Sequence, residues 1–190
     1  MVDDRPFFYL VWIASINEAL SEMFMETIHS TAVNCNIYVL AEAILYCWLF
    51  YNWSSFLRNK KKYGLLLVFI CIAWITDNFI LHSLHSSNSL FRIISSFVLV
   101  FLSIDQINHL ITTERSTVLT NARFLISTGI VIYFTYKAMV ETFYLFQLDF
   151  SNQFYHNIYI IMDSVNLFVN LIFALAALWI PTRQKYTLPS

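Results

Sequence analysis

The stretch NIYVLAEAILYCWLFYNW at residues 36–53 decides the fold class of this chain. It belongs to an apolar run over 34–54, and a helix of roughly 20 such residues crosses the ~30 Å hydrocarbon core of a bilayer. One carboxylate, Glu42, stands inside the run, and a charged side chain that faces lipid is costly. The stretch therefore predicts a membrane-spanning helix whose acid faces the bundle interior, water or a cation.

Similar apolar runs fill nearly the whole chain. Apolar residues make up 58% of the sequence, charged residues 12%, and the mean hydropathy is +0.62, outside the range of soluble globular domains. We predict an all-α membrane protein, a single domain over 1–190, with six transmembrane helices arranged as three hairpins. The predicted spans are 6–28, 34–54, 63–84, 89–112, 123–146 and 155–180.

The basic residues determine the predicted topology. If six helices alternate in direction, one side of the membrane receives nine of the eleven cations, and Arg92 and Lys137 fall inside spans. Because basic loops are retained in the cytoplasm, both termini are predicted to be cytoplasmic. The nine cations are Arg5, Arg58, Lys60, Lys61, Lys62, Arg115, Arg123, Arg183 and Lys185.

A short motif occurs twice, as NIYVLAE at 36–42 and NIYIIMD at 157–163. Each copy puts a tyrosine and an acid one helical turn apart on the same face. The preceding helices also match, with EALSEMF at 18–24 resembling KAMVETF at 137–143. We predict that helices 1–2 and 5–6 are related as parallel repeats, and that Glu42 and Asp163 approach each other across the bundle.

Polar residues are concentrated in the outer half of the predicted bundle. The acids outnumber the cations at that level, so some acids are expected to be protonated, to share protons, or to contact water or a bound cation. The alternative is that these groups only form interhelical hydrogen bonds, worth about 0.6 kcal/mol each. The predicted polar site comprises Glu18, Glu22, Tyr38, Glu42, Asp77, Lys137, Glu141, Tyr159, Asp163 and Asn166.

Four histidines fall at the predicted outer ends of helices. They are His29, His82, His85 and His156. Imidazoles gathered on one face bind transition metals or respond to external pH, and this set is a candidate metal site. The alternative is that histidine is simply tolerated at the membrane interface. No other cofactor is expected.

The sequence contains no motif that indicates an enzyme. It lacks HExxH, GxSxG and a glycine-rich phosphate loop, and it has only two glycines. The function that we expect is a sensory or partner-coupling membrane module with an acid-rich polar site, for which a protein partner or a homo-oligomer transmits the signal. The alternative is an oligomeric ion or proton pathway, and an intramembrane enzyme is a remote third. The lipid bilayer is the expected environment, and no nucleic acid is expected.

Four short motifs resemble a family of small multi-span inner-membrane proteins of Bacteroidota-type bacteria. They are Asn17-Glu18 in the first helix, Tyr38 with Glu42 in the second, GIVIYF at 129–134, and Asn166 with Asn170 in the last helix. The resemblance covers roughly the first and last thirds of the chain. It implies a multi-pass protein of the bacterial inner membrane and implies no activity.

The predicted topology can be tested by cysteine labelling of intact cells. With both termini in the cytoplasm, a Ser87→Cys variant should react with an impermeant thiol reagent added outside, and a Thr187→Cys variant should not. Reaction of the Thr187→Cys variant under these conditions would contradict the topology.

Overall fold

The computed structural model describes residues 4–53, 57, 59–86, 88–113, 121–146 and 151–180. The described chain is helical: α1 (Arg5–Ile28), α2 (Ala32–Trp53), α3 (Lys60–Ile75), α4 (Ser89–Thr113), α5 (Ala122–Leu145) and α6 (Asn152–Trp179), with a π-helical segment, Thr76–Leu81, at the end of α3. Five of these helices, all except α1, are long and apolar enough to cross a membrane. The prediction of a helical, membrane-spanning fold is thus confirmed, whereas the sixth span stays a prediction.

The helix boundaries follow from local hydrogen bonding. Pro6 stands in the first turn of α1, where its missing N–H costs nothing. Side chains of Asn59, Asn121 and Ser151 precede α3, α5 and α6 and accept hydrogen bonds from backbone N–H groups of the first turn. His29 ends α1 in the left-handed conformation (φ 56°), in which the backbone leaves the helix.

The helices pack mainly against their neighbours in sequence. The closest pairs are α4 with α5, α5 with α6, and α1 with α2, and α2 also contacts α3 and α4. Helix α1 runs antiparallel to α2, since Trp53 Nε1 donates to Asp4 (2.9 Å) and Asn34 donates to Asn17 (2.9 Å). Arg123 at the start of α5 lies 3.8 Å from Asp4. The start of α1, the end of α2 and the start of α5 therefore meet at one end of the bundle, here called the Trp53 end.

The opposite end is built around the link between α3 and α4, residues 82–88, and is here called the link end. The Asn36 amide donates to the carbonyls of Leu84 (3.1 Å) and Ser86 (2.9 Å), so the link is level with the second turn of α2. Ser21 of α1 is level with Asn34. Asn34 lies nearer to the start of α2 than Asn36, the residue that contacts the link. The α1–α2 hairpin consequently projects past the link, and Glu26 lies about 10 Å beyond it at 1.5 Å rise per residue.

The part of α1 that projects past the link carries two of its acids. Glu22 and Glu26 are exposed on the part of α1 that extends past the link. The predicted span over 6–28 treated the acids as membrane-embedded, from the middle of the membrane to its outer end. In the structure, only the first half of α1 lies beside the bundle core.

Helix α3 ends in a π-helical segment that buries two polar residues. Asp77 and Asn78 are both at least 98% buried, and the His82 N–H donates to the Asp77 carbonyl (3.0 Å) with five-residue spacing. The Asp77 carboxylate also accepts the Phe91 N–H (2.7 Å) in the first turn of α4, an N-terminal cap supplied from another helix. The predicted third span, 63–84, therefore ends at Leu81 instead.

The apolar core lies between α2, α4 and α5. Its fully buried side chains include Leu49, Phe50, Leu99, Ile126 and Ile130. By contrast, α6 buries little of its surface in the chain. The basic residues Arg58, Arg115, Arg183 and Lys185, like the labelling positions Ser87 and Thr187, lie outside the described residues, and the predicted topology and repeats stay predictions.

Gly129 provides a test of the contact between α5 and α6. A Cβ at this position would lie 2.7 Å from Cε1 of Phe173, whose ring already packs edge-to-face on Phe7 at 5.7 Å. We expect Gly129→Ala to lower the free energy of unfolding by roughly 1–3 kcal/mol, measured by thermal denaturation in a fixed detergent. Gly64→Ala is the control. It also replaces a helical glycine by alanine, but no side chain or neighbouring helix lies within 4 Å of the added Cβ. A Gly129→Ala protein as stable as the Gly64→Ala protein would contradict the packing.

Candidate functional site

A buried ion pair joins α2 to α5. Nζ of Lys137 lies 3.2 Å from Oε2 of Glu42, and the exposed fractions of the two side chains are 12% and 8%. The Tyr38 hydroxyl donates to the other carboxylate oxygen (3.2 Å). The ammonium also lies over the rings of Tyr133 and Phe134, 5.5 and 5.1 Å from their centroids. Glu42 is thus held as a carboxylate partner of Lys137, with one hydrogen bond to each oxygen.

A second ion pair joins α4 to α5 nearer the link end. Arg92 donates to Glu141 (3.0 Å), and the Ser89 hydroxyl donates to the other oxygen of the same carboxylate (2.6 Å). Arg92 also approaches the Asn36 side-chain oxygen (3.5 Å). Because Asn36 holds the link, the ion pair and the link form one polar network across α2, α4 and α5.

The link itself is stabilised by side-chain amides. The Asn88 amide donates to Asn78 (2.7 Å), and the Asn78 amide donates to the Trp74 carbonyl (2.9 Å). Trp74 in turn donates from Nε1 to the Asn36 carbonyl (2.9 Å). Nearly every polar group of this buried corner therefore has a partner, which stabilises one conformation of the link.

The two copies of the repeated motif have different surroundings. In the first copy Asn36 and Glu42 are buried and bonded as described. In the second copy the Asn157 side chain accepts from Gln153 at the surface, Tyr159 is 52% exposed, and Asp163 is exposed. The shared site predicted for Glu42 and Asp163 stays a prediction; of the two acids, only Glu42 has a partner among the described residues.

A cleft of about 490 Å³ opens between α1 and α6. Its base is formed by side chains of α2 and α5, including the ion-paired Glu42. The walls are apolar toward the Trp53 end and polar toward the link end. The lining residues are Phe7, Phe8, Leu10, Val11, Ala14, Ser15, Glu18, Tyr38, Glu42, Tyr46, Tyr133, Asn166, Val169, Asn170, Phe173, Ala174 and Ala177.

The cleft brings together four of the ten predicted site residues: Glu18, Tyr38, Glu42 and Asn166. Lys137 contacts the cleft residue Glu42 from the bundle interior. The remaining five lie elsewhere. Asp77 and Glu141 belong to the link network, Glu22 lies on the projecting part of α1, and Tyr159 and Asp163 are on the exposed side of α6.

The predicted histidine set is not assembled in the described part of the chain, where no three His, Cys, Asp or Glu side chains are placed to hold a metal ion. His82 instead bonds to Asp77 through Nδ1 at 2.8 Å. His29, His85 and His156 are exposed. The metal site stays a prediction that none of these contacts supports.

Sequence reasoning missed Tyr46 and Tyr133 as cleft residues. Four-residue spacing is the signal that could have found them: Tyr46 follows Tyr38 and Glu42 on the same helix face, and Tyr133 precedes Lys137 by one turn. Asn36 was noticed as part of the motif but was not assigned a role. Its role depends on the link between α3 and α4, which no local pattern places beside α2.

Comparison with known proteins gives no relative: no protein family, curated protein or solved structure matches this chain.

Charge removal tests the Glu42–Lys137 pair. Lys137→Met leaves a buried carboxylate without its cation, so we expect a loss of about 3–5 kcal/mol in the free energy of unfolding. The double variant Glu42→Gln with Lys137→Met should regain most of that loss, because no buried charge then remains unpaired. Chemical denaturation of all four members of the cycle measures the coupling. Additive effects of the two substitutions would mean that the two side chains do not interact.

Proposed function

We propose that this protein is a sensory or partner-coupling module of the bacterial inner membrane, with six spans and both termini in the cytoplasm. Its binding site is the cleft between α1 and α6. The observation that carries the proposal is the ion-paired Glu42 at the base of an open cleft of ligand size. The proposal includes α1 as a membrane span. Its support is the antiparallel contact of α1 with α2, which extends from Asp4 to Asn17.

The packing of the bundle supports a role in signal transmission. α2, α4 and α5 form the buried core, whereas α1 and α6 each pack mainly on one neighbour, α2 and α5 respectively. Each of the two helices that flank the cleft is therefore held mainly by one neighbour. A ligand that fills the cleft would change the contacts of both helices, and such a change can be passed to a partner that contacts them.

The ion or proton pathway is less well supported. Of the acids predicted to form its cation site, Glu42 is paired with Lys137, and Glu18, Glu22 and Asp163 are exposed, so the four do not form one buried site. A conducting route also needs polar groups that continue toward the Trp53 end. On α4 the candidates Asp105 and Asn108 are on the exposed side, and His109 is half-buried. The candidates on α6, Asn166 and Asn170, line the cleft.

Flux measurements separate the two functions. We expect purified protein in liposomes loaded with a pH-sensitive dye to give no proton flux above that of protein-free liposomes, in the presence of a potassium-valinomycin potential. A flux that disappears in the Glu42→Gln variant would instead favour the pathway.

Photo-cross-linking in cells tests partner coupling. We choose two test positions: Lys61, in the run of three lysines at the start of α3, and Leu178, which is 79% exposed on α6. Benzoylphenylalanine at either position should give a discrete adduct with another protein or with a second copy. The same amino acid at Leu65, 75% exposed on α3, is the control and should give none. Absence of an adduct at both test positions would contradict coupling through these surfaces.

A further inference from the structure

We infer that the α1–α6 cleft binds an amphiphilic organic ammonium ion, with the ammonium between Glu18 and Glu42 and the apolar part toward Phe7 and Phe173. This inference rests on the proposed function and specifies the ligand class of the same site. The cleft volume of about 490 Å³ is in the range for a small ligand.

The charge of the cleft selects the sign of the ligand. Glu18 and Glu42 both line it, and Lys137 reaches only the inner side of Glu42, where it is paired and 12% exposed. Glu18 has no cationic partner in the described part of the chain. The cleft is thus acidic toward the link end, and a cation entering it gains a carboxylate that is not already used by the fold.

The tyrosines supply the second argument. The Tyr46 side chain is 7% exposed and lines the cleft, and its hydroxyl has no hydrogen-bond partner among the described residues. The hydroxyl oxygen is itself open to the cleft, so it is available to accept a hydrogen bond from a ligand with a polar hydrogen. Tyr38 and Tyr133 add aromatic rings to the same wall, and aromatic rings attract organic ammonium ions.

The other half of the cleft matches an apolar chain. Around Phe7 on α1 and Phe173 on α6 the lining consists mainly of apolar side chains, including Val11, Val169 and Ala177, with Asn170 as a polar neighbour. Among the described residues, no charged side chain lines this part. The ligand therefore has one charged end and one apolar end, and a fully polar cation such as a free metal ion or a diamine matches only half of the site.

Equilibrium binding of radiolabelled 4-octylbenzylamine, protonated at pH 7, tests the inference on protein in phosphatidylcholine nanodiscs, with empty nanodiscs subtracted. We expect saturable binding at one site, and at least tenfold weaker binding of 4-octylbenzyl alcohol, which has the same shape without the charge. Equal binding of the amine and the alcohol, or no saturable binding of the amine, would overturn the ammonium assignment.

Two variants assign the binding to this cleft. Glu18→Gln should weaken amine binding about fivefold, equivalent to about 1 kcal/mol, and Tyr46→Phe should weaken it severalfold. Glu26→Gln is the matched control, because Glu26 is an exposed acid of the same helix outside the cleft. If Glu18→Gln binds as tightly as Glu26→Gln, the amine does not occupy this cleft.

The source of the ammonium can be distinguished in the same assay. Replacing phosphatidylcholine with phosphatidylethanolamine should weaken probe binding if a lipid headgroup occupies the site, and should leave it unchanged if a free amphiphilic amine does. If the amine does not bind, the ammonium ligand class is refuted and the proposed function is not. The proposed function is tested separately by proton flux and cross-linking, which are measured in the absence of the amine.

Discussion

The buried ion pair between Glu42 and Lys137 is the constraint on which the rest of the bundle depends. The backbones of α2 and α5 make far fewer close approaches than those of α4 and α5. Side-chain contacts therefore fix the position of α2 relative to α5 at the depth of Glu42 and Lys137. Either charge alone would be buried without a counter-charge. Because α1 packs on α2 and α6 packs on α5, the pair also positions the two helices that form the walls of the cleft.

The polar network at the link end also fixes the relative positions of the helices. Asn36 connects α2 to the link, and Arg92 with Glu141 connects α4 to α5. Since these groups are buried and bonded to one another, a change of register between the helices would leave several of them unpaired at once. The bundle is thus held by apolar packing nearer the Trp53 end and by specific polar contacts nearer the link end.

Much of the fold could be predicted because apolar run length is a local property. When the π-helical segment Thr76–Leu81 is counted with α3, the predicted runs begin and end within three residues of the observed helices. The partners of the acids could not be predicted, since Glu42 and Lys137 are 95 positions apart and nothing local pairs them. The apparent excess of acids arose for the same reason: the Asp77 carboxylate accepts a backbone N–H, a partner that a count of charged residues does not include.

The repeated motif illustrates how far position in the bundle overrides sequence. NIYVLAE lies on α2, which has neighbours on several sides, and its asparagine and acid are both used by the fold. NIYIIMD lies on α6, which packs chiefly on α5, and its acid remains exposed. An exposed carboxylate on an apolar helix is costly in lipid unless water or another chain contacts it. The same four-residue spacing therefore stabilises the core in one copy and leaves polar groups exposed at the periphery in the other.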